Sequence, residues 1–240
     1  MPLPAPKRPL PFVELVLLLA ALMSMVAFSI DSILPGLPAL ASRFTPDDAS
    51  RAQLVVSAFV LGLGLGQLVA GPIADSYGRR TTMLLGALLY SAGALAAREA
   101  DTLNALLAMR ASQGMGAAAA RVVSQAVMRD LFSGRAQARV GSLVFSFFVV
   151  VPAVAPLIGQ QVITRVGWQG LFSTYAIFGM VVLGWFWIRQ PETLAPENRR
   201  SFRPARVIAA MGEVLRSPVA RRYLLVASLG FGQLMAYISS

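Results

Sequence analysis

The chain has 240 residues, of which 56% are hydrophobic and only 13% are charged, and its formal net charge is +10. A soluble domain contains about 25% charged residues, so this composition indicates an integral membrane protein. Cysteine and histidine are both absent, which excludes disulfides, thiol nucleophiles, histidine acid–base chemistry and the usual transition-metal ligands. We therefore expect no enzymatic activity, no metal and no cofactor.

Apolar runs of about 20 residues, the length that spans a bilayer, follow one another along the chain. The predicted spans are residues 12–34, 53–73, 81–97, 103–128, 140–164, 171–188 and 223–238. We expect a disordered cytoplasmic tail (1–11), a six-helix transmembrane bundle (12–189), a cytoplasmic linker (190–222) and a seventh transmembrane helix (223–240). The linker contains an amphipathic pattern between Pro204 and Pro218, typical of a helix at the membrane surface or of a solvated linker helix.

Basic residues are divided unequally between the two sets of loops. Of the 21 lysines and arginines, fifteen lie in the tail, the linker and the loops after the second and fourth spans. Four lie in the opposite loops, and two lie inside the fourth span. By the positive-inside rule, the first side is cytoplasmic, which predicts a multi-pass protein of a bacterial-type inner membrane with a cytoplasmic N-terminus. The lipid bilayer thus explains the positive charge, and no nucleic-acid partner is expected.

Asp31 is the only acidic residue well inside an apolar stretch. A charge at that depth is costly, so an intramembrane carboxylate is a candidate for function, and any proton handling must use such a group. Ser24 and Phe28 lie on the same helical face at spacings of four and three, and we expect them to line a cavity. The alternative is that Asp31, close to Pro35, is a hydrated or structural residue at the outer helix end.

The fourth span contains a polar stripe on a floor of small residues. Arg110 and Arg121 are eleven residues apart, which is about three helical turns, and Gln113 and Gly114 lie between them. We expect Arg110 to face the interior of the bundle and Gln113, Gly114 and Arg121 to line the cavity. For Arg121, the alternative is that its side chain extends to the membrane surface.

The fifth span contains Pro152 and Pro156. Proline loosens a membrane helix and is tolerated where the freed carbonyl groups find partners or face a cavity. Both prolines are therefore candidates for lining the cavity, and helix packing alone is the alternative.

The short loop between the second and third spans contains the most specific motif. Gly71-x3-Asp75-x2-Gly78-Arg79-Arg80 resembles the signature of the major facilitator superfamily at this topological position. Arg110-x2-Gln113-Gly114-x-Gly116 is similar to the signature of that family's fourth helix, which is common among its proton-coupled members.

Within the superfamily, the chain is similar to the Bcr/CflA-type drug resistance transporters, which are drug:proton antiporters. This similarity rests on Asp31-x3-Pro35-x2-Pro38, Arg129-Asp130, Pro152-x3-Pro156 and Gly167-Trp168. The resemblance implies an all-α membrane protein: a six-helix N-terminal bundle built as a 3+3 inverted repeat, plus the start of a seventh helix. A C-terminal six-helix half would then be mostly absent, and we expect the chain to be truncated.

The resemblance also implies a function, which is proton-driven export of drug-like small molecules by alternating access. Asp31 would take up protons, and Arg110 would respond to its charge. The loop residues Gly71, Asp75, Gly78, Arg79 and Arg80, with Arg129 and Asp130, would form a cytoplasmic gate. In that gate Asp75 would pair with a helix N-terminus or with Arg129, and Arg79 and Arg80 would bind acidic groups such as Asp130.

Two other interpretations of the sequence stay open. The chain could be a major facilitator carrier for another metabolite, which Asp31 and the prolines of the fifth span discriminate only weakly. It could also be half of a transporter without transport activity of its own, because residues after Ser240 would be needed to complete the cavity. For the drug exporter that the resemblance implies, a proton gradient is the expected energy source.

Overall fold

The computed structural model describes residues 10–201, 212–213 and 215–239. The regular structure of these residues is helical, and no strand occurs among them. The α-helices are α1 (Phe12–Asp31), α2 (Leu37–Phe44), α3 (Leu54–Tyr77), α4 (Arg79–Arg98), α5 (Leu103–Leu131), α6 (Gly134–Arg189) and α7 (Pro218–Ser239). Most of the predicted tail and of the predicted amphipathic linker helix lies outside the described residues.

Prolines determine both ends of α1. The helix begins directly after Pro11 and ends at Asp31, because Pro35 has no backbone N–H to donate to the carbonyl group of Asp31 four residues earlier. The chain then forms a 3₁₀ turn over Leu34–Gly36 and the short helix α2. Asp31 is therefore the last residue of α1, at the point where the regular helix stops.

A single residue, Gly78, separates α3 from α4. Its φ of 96° and ψ of 165° lie in a region that glycine adopts without steric cost and that other residues avoid. One residue is thus enough to end one helix and start the next, which explains the shortness of the loop.

The predicted fifth and sixth spans are two helices that meet at one non-helical residue, and together they form the element α6. α6 runs from Gly134 to Arg189 and is interrupted at Gly167, where φ is 76°. Its arms, residues 134–166 and 168–189, both extend beyond the predicted spans of 140–164 and 171–188. The apolar residues mark the part of each arm that suits the bilayer, whereas the helices continue into polar sequence on either side.

Three stretches of the described residues are long and apolar enough to cross a membrane, namely Phe12–Phe44, Ala49–Tyr77 and Gly134–Arg189. Helices α4 and α5, with 20 and 29 residues, are also long enough at 1.5 Å per residue. Their arginines and other polar residues lower their mean hydropathy.

Small residues allow the helices to pack closely. α5 packs against α3 and α4, and α6 packs against α1 and α4. A Cβ atom at Gly114 of α5 would overlap the carbonyl oxygen of Phe59 in α3, and one at Gly159 of α6 would overlap that of Ser32. Such backbone approach provides the van der Waals contact that holds helices together in lipid.

The chain divides into two compact units, residues 1–200 and 201–240. The first unit contains α1 to α6. The second contains α7, which at 22 residues has the length of a membrane span.

Candidate functional site

Arg110 lies fully buried in the centre of the first unit, with 0% of its surface exposed. Its Nε donates to the carbonyl oxygen of Val55 at 3.2 Å, and its Nη2 donates to that of Ser29 at 3.0 Å. Its Nη1 donates to Oε1 of Gln113 at 2.8 Å. The guanidinium also lies 4.6 Å from the centre of the Phe59 ring, a cation–π distance. Carbonyl, amide and aromatic groups therefore compensate this charge, and no carboxylate of the described residues forms an ion pair with it.

Asp31 is half-buried at the end of α1. None of the ion pairs formed by the described residues includes Asp31. Arg110 instead binds the backbone of Ser29, two residues earlier in the chain. The structure thus brings Arg110 to the turn that carries Asp31 without direct contact between the two charges.

A cavity of about 590 Å³ lies between α1 and both arms of α6. Its lining residues are Ser24, Phe28, Phe147, Val150, Val151, Val154, Ala155, Ile158, Thr174 and Phe178. The hydroxyls of Ser24 and Thr174 donate to the carbonyl oxygens of Ala20 and Gly170, at 2.7 and 3.0 Å. The walls are therefore apolar, and their two hydroxyl donors already have backbone partners.

Other residues expected in the cavity lie elsewhere. Gln113 is fully buried beside Arg110, and Gly114 packs against the α3 backbone, so neither residue is among those that line this cavity. Gly114 faces α3, whereas the backbone of Gln113 packs against Gly93 of α4, so close helix packing buries both residues. Pro152, Pro156 and the half-buried Arg121 are not among the lining residues, although neighbours of both prolines are.

Arg79 is the centre of a polar cluster at the end of the bundle that contains Gly78. Its Nε and Nη2 donate to the two carboxylate oxygens of Asp130 at 2.9 and 3.2 Å, and its Nη1 donates to Asp75 at 2.8 Å. The Arg79 side chain is only 6% exposed, whereas that of Asp75 is 52% exposed. A bidentate pair of this kind is both directional and strong. We call Asp75, Arg79, Asp130, Glu192 and Thr193 the signature-loop cluster.

Asp75 and Arg80 have other partners than those expected. Asp75 pairs with Arg79, its neighbour one helical turn away, and forms no ion pair with Arg129, although both line a polar cavity of about 510 Å³. Arg80 donates from Nη2 to the carbonyl oxygen of Trp187 at 2.6 Å and lies 4.4 Å from the centre of its ring. The predicted contact of the Arg80 side chain with an acidic group is therefore wrong. The flat guanidinium instead stacks on the indole, as arginine commonly does.

Glu192 was not predicted to take part in this cluster. Its two carboxylate oxygens accept the backbone N–H groups of Arg79 at 2.9 Å and Arg80 at 3.1 Å. These are the first two N–H groups of α4, which have no partner within the helix. A Cβ atom at Gly78 would overlap Glu192, so this glycine provides both the turn and the space for the carboxylate.

Thr193, the residue after Glu192, connects this segment to α5, because its hydroxyl donates to Asp130 at 2.6 Å. Partial burial by itself raises the pKa of the Asp130 carboxyl, but hydrogen bonds from Arg79 and Thr193 and the nearby charge of Arg129 hold that pKa below its ordinary value. Asp130 is therefore ionised at neutral pH.

Gly71, the first residue of the sequence motif, is half-buried, and a Cβ atom there would meet no other atom within 4 Å. Close packing therefore does not require glycine at this position. No group of three or more carboxylates capable of holding a metal ion is found in the described part of the chain.

Comparison with known proteins shows which family the chain matches. Residues 17–240 match the family model described as Major Facilitator Superfamily. The chain is 32% identical over 229 residues to the uncharacterized MFS-type transporter YdgK of Bacillus subtilis, covering 93% of the chain and 57% of that protein. It is 29% identical over 225 residues to a bicyclomycin resistance protein homolog of Haemophilus influenzae, covering 94% and 56% respectively. The chain thus spans about half the length of the curated relatives it matches.

Among solved structures, the chain is similar to the proton:xylose symporter XylE bound to 6-bromo-6-deoxy-D-glucose. The TM-score is 0.67 at 14% sequence identity, and the match covers 75% of the chain and 45% of XylE. At this identity the likeness concerns the fold alone.

Proposed function

Because the chain belongs to the major facilitator superfamily, we propose that it forms the N-terminal half of a proton-driven exporter of uncharged, drug-like molecules. Members of this family are transporters and not enzymes, and they typically need no cofactor. The whole transporter would enclose its substrate between this half and a C-terminal half, and would open alternately to each side of the membrane.

The position of Asp31 is the observation that carries this proposal. The carboxyl group lies half-buried at the end of α1, and residues 24 and 28 of the same helix line the apolar cavity. A carboxylate in such a place costs free energy, so its presence supports a function such as proton binding. One helix would thus connect the proton site with the substrate site.

The cavity wall supports an uncharged, apolar substrate. A volume of about 590 Å³ lies within the range of ~300–1,000 Å³ that is common for small-molecule sites. No charged side chain is among the described residues that line it, so a cation entering it would lose its hydration and gain only the faces of aromatic rings in return. Phe28, Phe147 and Phe178 offer aromatic surface to a flat ligand.

The signature-loop cluster supports a revised view of the cytoplasmic gate. The pairing of Arg79 with Asp130 and the binding of Glu192 to the start of α4 occur within one half. In this proposal they keep the bundle rigid while it moves. The exposed carboxylate of Asp75 and the exposed Arg129 would make and break contacts with the other half.

We also infer a bacterial-type inner-membrane protein whose N-terminus and signature loop are cytoplasmic. The chain contains no cysteine, so single cysteines can be introduced and labelled in intact cells with a membrane-impermeant maleimide. Asp47→Cys should react from outside, whereas Ser201→Cys should react only after the membrane is permeabilised. The reverse pattern would contradict this orientation.

Transport can be tested in a joined protein, in which Ser240 is followed by the corresponding C-terminal part of YdgK. Cells that lack their main drug exporters would be loaded with Nile red, an uncharged dye, or with ethidium, a permanent cation. We expect the joined protein to export Nile red better than ethidium, and a protonophore should stop this export. The chain alone and the joined protein carrying Asp31→Asn serve as controls.

Three results would count against the proposal. Efflux that continues in the presence of the protonophore would exclude coupling to protons. Equal or better export of ethidium would exclude the uncharged substrate class. A correctly inserted joined protein that exports neither dye nor any member of a wider panel of neutral compounds would exclude the assignment as a drug exporter.

A further inference from the structure

Two buried tyrosine hydroxyls hold the last turn of α1. The hydroxyl of Tyr90 in α4 lies 2.7 Å from that of Ser29, and the hydroxyl of Tyr175 in α6 lies 2.8 Å from that of Ser32. Both tyrosines are fully buried. The residues two positions before and one position after Asp31 are therefore each tied to a different helix.

The backbone of the same turn is also fixed. Arg110 of α5 donates to the carbonyl oxygen of Ser29, and Gly159 of α6 packs directly against that of Ser32. The turn that carries Asp31 is thus held from α4, α5 and α6, while the Asp31 carboxylate itself forms no ion pair.

These tyrosines are not needed to satisfy the serines. The hydroxyls of Ser29 and Ser32 also donate to the carbonyl oxygens of Met25 and Phe28 in their own helix. If the tyrosines only filled space, phenylalanine would do so without burying a polar group. Each hydroxyl pair instead fixes one point of α1 relative to a neighbouring helix, because a hydrogen bond requires a specific distance and angle.

Tyr175 also contacts the wall of the apolar cavity. Its ring packs edge-on against Phe28 with centroids 5.6 Å apart, and Phe28 lines the cavity. A ligand that pushes the Phe28 ring away from the cavity would therefore press it against Tyr175. A continuous path of contacts leads from the cavity through Phe28, Tyr175 and Ser32 to the turn that carries Asp31.

We propose that Tyr90 and Tyr175 are positioning residues that set the place of Asp31, and that Tyr175 transmits occupation of the cavity to it. This inference rests on the proposed function, in which Asp31 carries protons. The titratable and charged groups that face this turn are Tyr90 from α4, Arg110 from α5 and Tyr175 from α6. Because the hydroxyls act through Ser29 and Ser32, their removal should alter coupling more than substrate binding.

The test uses the joined protein in proteoliposomes and two measurements. The first is dye transport driven by a pH gradient over a range of pH values, and the second is dye exchange at equal pH, which needs no net proton movement. We expect Tyr175→Phe to keep equal-pH exchange while gradient-driven transport falls about fivefold, the factor that corresponds to one lost hydrogen bond. Its pH profile should also shift, and Tyr90→Phe should have the same effect.

Tyr223→Phe, at an exposed position of α7, is the matched control and should leave both measurements unchanged. Ser32→Ala removes the same contact from the other side. Tyr175→Phe combined with Ser32→Ala should therefore be no more severe than either single change, since both remove one bond.

The outcomes separate the two proposals. If Asp31→Asn transports like the unchanged protein, the proposed function fails. If Asp31→Asn loses gradient-driven transport while Tyr90→Phe and Tyr175→Phe retain it with an unchanged pH profile, the positioning role is overturned. Equal loss of exchange and gradient-driven transport in both tyrosine variants would also overturn it, because that pattern indicates a general structural role.

Discussion

Replacing Glu192 tests the contact that ties the signature loop to the segment after α6. Glu192→Gln has nearly the same shape but removes the charge and turns one acceptor oxygen into an N–H donor. That donor would face the N–H of Arg79 or of Arg80, which the carboxylate now binds at 2.9 and 3.1 Å. The carboxylate also accepts the N–H of Leu194 at 3.1 Å. Glu192→Gln would therefore also weaken the turn between residues 192 and 194.

The expected cost has two parts. A hydrogen bond to a charged group is worth ~1.5–3 kcal/mol, and an anion at a helix N-terminus contributes ~0.3–1 kcal/mol. One acceptor remains in glutamine, so we expect a local destabilisation of about 2–3 kcal/mol. Local opening would then be roughly 30- to 150-fold more frequent.

Hydrogen exchange followed by mass spectrometry measures this opening directly. Peptides that contain the amides of Arg79 and Arg80 should exchange faster by that factor in Glu192→Gln, whereas peptides from the middle of α5 should not change. Glu197→Gln is the control, because Glu197 is exposed in the same segment. Unchanged exchange at the start of α4, or an equal effect of both variants, would refute the role assigned to Glu192.

Three further predictions concern stability. Gly114→Ala should separate α3 from α5 and lower the unfolding temperature in detergent, because the new Cβ would overlap Phe59. Gly141→Ala should leave that temperature unchanged, because its Cβ would meet no atom within 4 Å. The stabilisation lost in Asp130→Asn should be constant between about pH 8 and 5. It should begin to fall near pH 4, about the pKa of an unfolded aspartate, and disappear once the pH drops below the lowered pKa of Asp130 in the folded state; a difference that grows on acidification would contradict the ion pair. Arg110→Lys should unfold at a lower temperature than Arg110→Met. Lysine keeps a buried charge but lacks the guanidinium fork with which arginine reaches three acceptors. The opposite order of unfolding temperatures would contradict the arrangement of Arg110.

Local sequence predicts much of this fold for clear physical reasons. Prolines before and after α1, and a glycine between two apolar runs, limit the backbone whatever surrounds them. The positions of α1, α3, α4 and α5 therefore follow the apolar pattern closely. The two arms of α6 were predicted as separate spans, and the non-helical backbone of Gly167 lies between them.

Side-chain partners that depend on packing were less predictable. Gln113 and Gly114 lie in a polar stripe by sequence, yet Gln113 packs against α4 and Gly114 against α3. Glu192 is separated from Arg79 by 113 residues, and its role depends on where α6 ends relative to α4. An acidic residue shortly after a predicted span could still have been considered as a partner for the free N–H groups at the start of a neighbouring helix.

Proton release on substrate binding tests the central claim most directly. The joined protein, purified in detergent and held in weak buffer with a pH-sensitive dye, would be mixed with the neutral substrate identified by the efflux assay. We expect the unchanged protein to release protons when substrate binds, and Asp31→Asn to bind substrate without releasing them. Equal proton release from both proteins, or none from the unchanged protein despite binding, would contradict the assignment of Asp31 as the proton carrier.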